Sequence, residues 1–302
     1  MSRYKLILNP LAGLGKAERL LPDVLSALAD RGITPDVVRT ERRWHAAELA
    51  QQAMADGYDT ILAMGGDGTT NEVVNGMMTR RDHQPVGTLG IIPAGSGNDF
   101  RIAIDWPDDI AGVAERIARG NRRLIDVGRI NQRYFVNVAG VGFDTTVTVE
   151  ATKIREIAPG LLRGLPLYMM AIFKTLLLNY QAPMTTIEYD GQVMRQPTLM
   201  ASVANGRRYG GGFLVAPEAQ ADDGLFDLLV AGYVNRPGIL QLLPHFMKGT
   251  HVGRKPIYMT RARHVVLEAP DPVIAQIDGE IYDDGSRRIE FELLPQSLWI
   301  IA

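Results

Sequence analysis

The sequence predicts an α/β domain built on a parallel sheet, followed by a mainly antiparallel β domain. Three observations carry this. Up to Gly120, short apolar runs alternate with helical patterns, the order that gives a parallel sheet with helices on both faces. Glycine-rich turns at residues 10–16, 65–68 and 94–97 each follow one of those runs. Beyond Val127 short alternating runs take over, as in antiparallel sheets. The boundary therefore falls near Val127. It gives domains 1–127 and 128–302, with the last strand able to pack back on the first domain.

The elements follow in order. Residues 4–9 read as a buried strand, and Leu20, Leu21, Val24, Leu25 and Leu28 mark the helix after the first glycine turn. Residues 34–40, 59–64 and 87–93 are the next strands, with helices expected over 44–54, after Gly68, over 100–104 and from Pro107 to Gly120. In the second domain, 127–130 and 134–138 form a hairpin about Asn131, Gln132 and Arg133. Further strands fall at 185–189, 199–205, 225–230, 264–267, 273–277, 289–293 and 298–301. Two helical excursions, 145–180 and 237–248, interrupt them. Both are rich in large apolar residues, among them Leu161, Leu165, Met169, Met170, Phe173 and Leu177 in one, and Leu240, Leu243, Phe246 and Met247 in the other. Such helices are either core or the wall of a pocket for a greasy ligand.

Composition narrows the function classes. The chain has 302 residues, 46% hydrophobic and 22% charged, with a formal net charge of −2, which gives no sign of nucleic-acid binding. There is no cysteine, so thiolate nucleophiles, disulfides and cysteine-ligated zinc are excluded, and a reducing compartment is compatible. The first residues are too short in apolar length for a signal peptide, and residues 165–178 fall short of the roughly 20 residues of a spanning helix. A cytoplasmic protein is expected.

The chemistry concentrates in the turns. In residues 61–72, Gly65, Gly66 and Gly68 leave room for a ligand to approach backbone N–H groups at the start of a helix, as at an anion site. Asp67 repels a phosphate there unless a cation such as Mg²⁺ lies between them; its other reading is a helix cap. The turn at 10–16 is not a P-loop, because Ala17 stands where Ser or Thr is required. Asn9 and Gly13 can still approach a nucleotide, and Lys16 is either a contact or a surface residue. His45 reads as a capping or surface histidine. After the strand at 87–93, Ser96 can donate to a phosphate or purine edge, while Asp99 either reaches substrate or caps the next helix. The glycine turn at 207–213 is either a tight turn or a loop edging the site. Asp222, Asp223 and Gly224 suit an oxygen-ligand cation site or a hairpin turn. Asp278 and Glu280, two apart on an extended segment, share a face, so either could take a proton from a hydroxyl.

Together Asn9 to Gly13, Gly65 to Thr69 with Asn71 and Glu72, Pro93 to Phe100, Asp126 to Gly128, Asp222 to Leu225 and Asp278 to Glu280 resemble the bacterial lipid kinases of the diacylglycerol kinase catalytic-domain family, relatives of sphingosine and ceramide kinases. The resemblance spans nearly the whole chain. It implies an ATP-dependent kinase with the nucleotide in a cleft between a Rossmann-like parallel α/β domain and a β-sandwich-like lipid-substrate domain. ATP would meet Asn9, Pro10, Leu11, Ala12, Gly13, Thr40, Gly66, Asp67, Gly68, Thr69, Thr70, Asn71, Glu72 and Ser96. A catalytic Mg²⁺ is implied at Asp67 and Asp126, and a structural Mg²⁺ at Asp223 with the carbonyls of Gln220 and Leu225. Asp99 would orient substrate, and Glu280 or Asp278 would be the base. Ser96 stands where many relatives carry threonine and keeps the hydroxyl.

NAD kinases share the Gly-Gly-Asp-Gly turn, but residues 9–13 and 95–100 favour the lipid kinases. A nucleotide-binding regulatory protein without catalysis is opposed by the full set of carboxylates. The expected partners are a lipid substrate and, transiently, the inner membrane face, with Arg163, Lys174, Arg207 and Arg208 as candidate contacts. Neither the lipid nor the oligomeric state is legible.

Overall fold

The apolar run at the start forms β1 (Tyr4–Leu8), buried at Leu6, Ile7 and Leu8, in a computed structural model that describes residues 3–79, 85–157, 162 and 164–302. The chain divides into two units, Met1–Val127 with Pro295–Ala302, and Gly128–Leu294.

In the first unit, β1 is followed by α1 (Ala12–Ala29), β2 (Asp36–Arg39), α2 (His45–Ala55), β3 (Thr60–Gly65), α3 (Asp67–Met77), β4 (Val86–Pro93), α4 (Asp99–Ala103) and α5 (Ile110–Arg119). The strands are parallel in the order β2–β1–β3–β4. All six residues of β3 are buried, which is why this strand reads as continuous apolar sequence rather than alternation. The three glycine turns therefore sit at the carboxyl ends of β1, β3 and β4, the end of a parallel sheet at which ligands bind.

The second unit comprises β6 (Arg133–Phe135), β7 (Val138–Gly142), α6 (Phe143–Ile157), α7 (Leu165–Leu178), β8 (Met184–Tyr189), β9 (Gln192–Ala204), β10 (Phe226–Gly232), α8 (Arg236–Lys248), β11 (Ile257–Ala262), β12 (His264–Glu268), β13 (Ala275–Ile277) and β14 (Glu280–Tyr282). Two strands cross the unit boundary: β5 (Arg122–Ile130), and β15 (Arg288–Ile301), which pairs antiparallel with β12 over its first half and parallel with β4 at Leu298 to Ile300. Pairing is otherwise antiparallel, β14–β13–β7–β9–β8–β12, with β10 and β11 added on β9. Every residue of β10 is buried because each face meets a different core. Leu229 and Ala231 pack with Leu167, Ile172 and Ile239 from the helices, whereas Phe226, Leu228 and Val230 pack with Val265, Leu267 and Phe291.

The sequence expectations need four adjustments; the expected strand at 134–138 is two, β6 and β7, the second running on to Gly142. The excursion at 145–180 is two helices, α6 and α7; Leu161 and Arg163 lie outside the described residues. The runs at 289–293 and 298–301 are one strand, β15. Strands β11 and β14 were not expected, the first because its burial is broken and the second because it has three residues. Among the described residues no helix is long and apolar enough to cross a membrane.

Gly128, in the Asp-Val-Gly run, pairs with Phe135, and a Cβ at Gly128 would collide with the Phe135 ring. That ring is fully buried and stacks on Phe226 at 5.5 Å. Gly128→Ala should lower unfolding free energy by about 1–3 kcal/mol, the usual cost of overpacking, as measured by urea denaturation. An unchanged midpoint would contradict this packing.

Candidate active site

In the first unit the glycine loops are tied to one another by backbone. Asn9 ends β1: its N–H donates to the Met64 carbonyl (3.0 Å), its Oδ1 accepts from Leu11 N (3.1 Å), and its Nδ2 donates to Thr69 Oγ1 (3.1 Å). Gly13, Leu14 and Gly15 then all take left-handed φ, and a Cβ at Gly13 would strike the carbonyl of Ala94. The second and third loops abut at Gly66 and Gly95, where a Cβ on Gly66 would lie 3.2 Å from Gly95 Cα. Ala94 N and Gly95 N both donate to the Gly65 carbonyl. Asn98, at φ +53°, closes the third loop by bonding Gly95 through both ends of its amide.

Asp67 is the first residue of α3 and does not cap it; Gly66 occupies the cap position. Asp67 Oδ1 instead accepts from Phe100 N at 3.1 Å, tying α3 to the start of α4. A Cβ on Gly97 would lie 3.0 Å from Asp67 Oδ2 and 3.7 Å from Oδ2 of the buried Asp99, so two carboxylates converge on the space left by that glycine. Asp99 begins α4, and Asn98 holds the cap position. Asp126 is fully buried, and its Oδ1 accepts from Gln296 N at 2.8 Å.

The other predicted nucleotide contacts differ in placement. Ser96 and Leu11 are exposed, and Pro10, Ala12, Gly68 and Thr40 are partly exposed, with Thr40 N donating to the Leu8 carbonyl. Thr69, Thr70 and Asn71 are buried in α3, and Glu72 accepts from Ala46 N at the start of α2. His45 does not cap α2, whose cap position Trp44 holds; its Nδ1 accepts from Glu41 N in the turn before the helix.

In the second unit, Asp278 and Gly279 have φ of +50° and +85° and form the two-residue turn between β13 and β14 that a paired Ile277 and Glu280 require. The Asp278 carboxylate accepts three backbone N–H bonds, from Val136 (3.1 Å), Asn137 (3.0 Å) and Val138 (3.0 Å). Glu280 is half-buried. Beside the turn, α6, α7 and α8 form with the sheet an apolar cavity of about 70 Å³, lined by Val147, Tyr168, Ile172, Met200, Phe213 and Phe246 among others. Tyr168 connects cavity and turn: a Cβ on Gly279 would stand 3.9 Å from its hydroxyl.

Among the described residues, one charged side chain lines this cavity. Asp144 follows Gly142 and Phe143 at the strand-to-helix junction and is buried; burial pushes its carboxyl up to about 7, against the Thr145 N–H that favours the anion. Tyr209 beside it is pushed well above the usual phenol range by desolvation and by the Asp144 charge. The only mark of Asp144 in the sequence is an acid two residues after the apolar run that ends at Gly142.

Among the described residues no three or more His, Asp or Glu side chains gather to hold a metal alone. The pair Asp67 and Asp99 nevertheless fits Mg²⁺, which takes one or two carboxylates and fills its shell with water and phosphate oxygens. At Asp223 the arrangement is different: Arg261 stands 3.5 Å from Asp223 and 3.7 Å from Asp227, and Asp223 Oδ1 accepts from Leu225 N. A guanidinium already offsets these carboxylates, and a cation there would share them with it. Gln220 is exposed nearby in sequence.

Two families match the chain, the diacylglycerol kinase catalytic domain over residues 3–130 and the YegS C-terminal NAD kinase beta sandwich-like domain over residues 137–302. Diacylglycerol kinases of Staphylococcus aureus strains bovine RF122 / ET3-1 and MRSA252 are each 32% identical over 279 residues, covering 92% of this chain and 86% of theirs. A solved structure from Bacillus anthracis str. Sterne, provisionally described as a diacylglycerol kinase, covers 99% of this chain and 95% of its own at a TM-score of 0.81 and 25% identity. A parallel α/β unit with glycine loops, followed by a β-sandwich-like unit, is thus the frame of a kinase. The chain belongs to the diacylglycerol kinase catalytic-domain family and is a lipid kinase.

Two measurements probe this geometry. Asp278→Asn replaces one of the two accepting oxygens with an NH₂ group, which leaves at least one of the three N–H donors without an acceptor, so unfolding free energy should fall by about 1–3 kcal/mol; urea denaturation reads it, and an unchanged value would remove the three-amide clamp from the account. Asp144 has a raised folded pKa, so the native state holds its proton more tightly than the unfolded chain does, and stability from this group is lost as pH rises from the usual carboxylate range through about 7. Asp144→Asn should therefore gain on the native protein between pH 5 and pH 8, by roughly 2–3 kcal/mol. Parallel stability curves over that range would refute the assignment.

Proposed function

We propose that the chain transfers the γ-phosphate of ATP, in the presence of Mg²⁺, to a hydroxyl of a diacylglycerol-like lipid, with Glu280 as the base. The observation that carries the reading is the apolar cavity beside the Asp278–Gly279–Glu280 turn. Hydrocarbon chains in a cavity lined by Val147, Ile172, Met200 and Phe246 would leave a glycerol hydroxyl at the Tyr168 end, next to that turn. A nicotinamide dinucleotide, polar along its length, is poorly matched to such walls.

Asp278 and Glu280 divide the work. The three amides on Asp278 make it the anchor of the turn, and Glu280 is then the carboxylate that accepts the hydroxyl proton as the oxygen attacks. In the first unit, the backbone amides of residues 66–68 and 95–97, at the start of α3 and after β4, would take the phosphates, with Asn9 to Gly13, Thr40 and Ser96 about the rest of the nucleotide. Thr69 and Glu72 serve this indirectly, by holding Asn9 and α2 in place. Asp67 and Asp99, with Asp126 of the same unit, would hold Mg²⁺, which when bound neutralises phosphate charge. A second, structural Mg²⁺ at Asp223 would have to share its ligands with Arg261.

The lipid would be met at a membrane surface. The outer faces of α7 and α8 carry exposed Met170, Phe173, Leu177, Leu240 and Met247. Residues 228–267 contain no Asp or Glu but include Arg236, Lys248, Arg254 and Lys255, a balance suited to anionic headgroups. Lys174 is paired with the buried Glu150 at 2.6 Å, and Arg207 Nε donates to the Ala219 carbonyl, so both are engaged within the protein. A cytoplasmic enzyme docking transiently on the inner membrane face accounts for this distribution.

The test is transfer of labelled phosphate from ATP to defined diacylglycerols and to a total lipid extract, with product identified by mass. Asp67→Ala should abolish Mg²⁺-dependent transfer with the fold retained, and activity preserved at saturating Mg²⁺ would overturn the metal reading. Glu280→Gln should lower kcat by about 10²–10⁴-fold, the usual contribution of a positioned base, while equilibrium dialysis shows unchanged ATP binding. Turnover at the native rate would remove Glu280 from the mechanism.

A further inference from the structure

Gln276 is fully buried on β13, registered with the Gly140 over which Asp144 lies, and hydrogen-bonded to the turn that carries Glu280. Its Oε1 accepts from Gly279 N at 3.0 Å, which commits the oxygen end of the amide to the turn. Nε2 therefore faces away. It is a buried donor without a hydrogen-bond partner, and the Gln276 side chain is among the groups that favour the Asp144 anion.

The strands explain the arrangement. Gly140 of β7 is registered with Ser202 of β9 on one side and with Gln276 of β13 on the other, so the three stand in a row across three strands. Gly140 has no side chain, and a Cβ there would collide with Asp144 Oδ2. The carboxylate thus lies across the glycine, 3.5 Å from Ser202 Oγ at one end of the row, with Gln276 registered on the other side of Gly140.

We propose that Asp144 is a positioning residue for the phosphoryl-transfer step, acting through Gln276 on the Asp278–Gly279–Glu280 turn and so on the direction of Glu280. The inference rests on the reading of Glu280 as base. An amide can present either its oxygen or its nitrogen to a neighbour, whereas a carboxylate only accepts and the neutral acid still keeps an accepting oxygen. An acceptor at Asp144 selects the orientation in which Nε2 faces the carboxylate and Oε1 faces Gly279. With Asn at 144 the amide pair has two orientations of similar standing, and in one of them Gly279 N loses its acceptor. Asp144 also lines the apolar cavity, so the same carboxyl touches the space assigned to the acyl chains and the residue that sets the turn.

The experiment compares Asp144→Asn and Gln276→Met, each alone and combined with Glu280→Gln, in the full-length protein with ATP and diacylglycerol vesicles. Each single variant should lower kcat by about 10–100-fold, the scale of a sub-ångström to 1 Å misplacement of a catalytic group, with the KM for ATP unchanged. In the Glu280→Gln background neither should lower the residual rate further, since both act through that carboxylate. Native kcat in both single variants, or equal fold-losses in the two backgrounds, would overturn the proposal while leaving the base assignment standing. Native kcat for Glu280→Gln alone would overturn the base instead. If Asp144→Asn does not fold, Gln276→Met decides, because Met fills the same volume and cannot accept from Gly279 N.

Discussion

The carboxylate of Asp278 is the fixed point of the second unit. A side chain at a left-handed turn position reaches back to three consecutive amides, 140 to 142 residues earlier in the chain, and its own N–H donates to Val138. The turn between β13 and β14, the chain entering β7 and the pairing of β7 with β13 are therefore one hydrogen-bonded assembly. Carboxylates bonded to several backbone amides are among the stronger hydrogen-bonding arrangements in proteins. Glu280 inherits its position from this anchor, and the Tyr168 hydroxyl of the apolar cavity lies 3.9 Å from where a Cβ at Gly279 would stand.

The first unit solves a comparable problem with fewer side chains. Gly66 against Gly95 and Gly13 against Ala94 bring three loops within backbone contact of one another, which any side chain at those positions would prevent. Glycine here serves close approach of main chain to main chain as much as approach of main chain to phosphate. Asp67 completes the connection by accepting from Phe100 N, while its other oxygen shares the space at Gly97 with Asp99.

Much of the fold was legible because its signals are local. The change from alternating strands and helices to short strands marks the passage from the parallel to the antiparallel sheet, and α8 announces itself with Asn235 capping Gly238 N and Gly249 in left-handed conformation after its end. The exact division of the apolar stretch into α6 and α7 was hidden, since apolarity runs through both helices. At the candidate site, residue types in the glycine turns could be read, but not which side chains the protein uses internally. Nothing near Asp223 in sequence points to Arg261, nothing near Asp278 points to residues 136–138, and the row of Ser202, Gly140 and Gln276 exists only through strand register. Such pairings are set by topology rather than by composition.

Strand β15 gives the order of synthesis a role. Its last residues lie beside β4 and count with the first unit, although about 170 residues of chain, the entire second unit, come between. On a ribosome, the parallel sheet of β1 to β4 emerges early with β4 as an unprotected edge, the kind of strand that recruits foreign chains. It acquires its natural neighbour only when Leu298 to Ile300 arrive. A chain that stalls or is clipped before that point carries the nucleotide loops on an open sheet, so loss of only a few C-terminal residues should register first as aggregation in the cell rather than as altered catalysis.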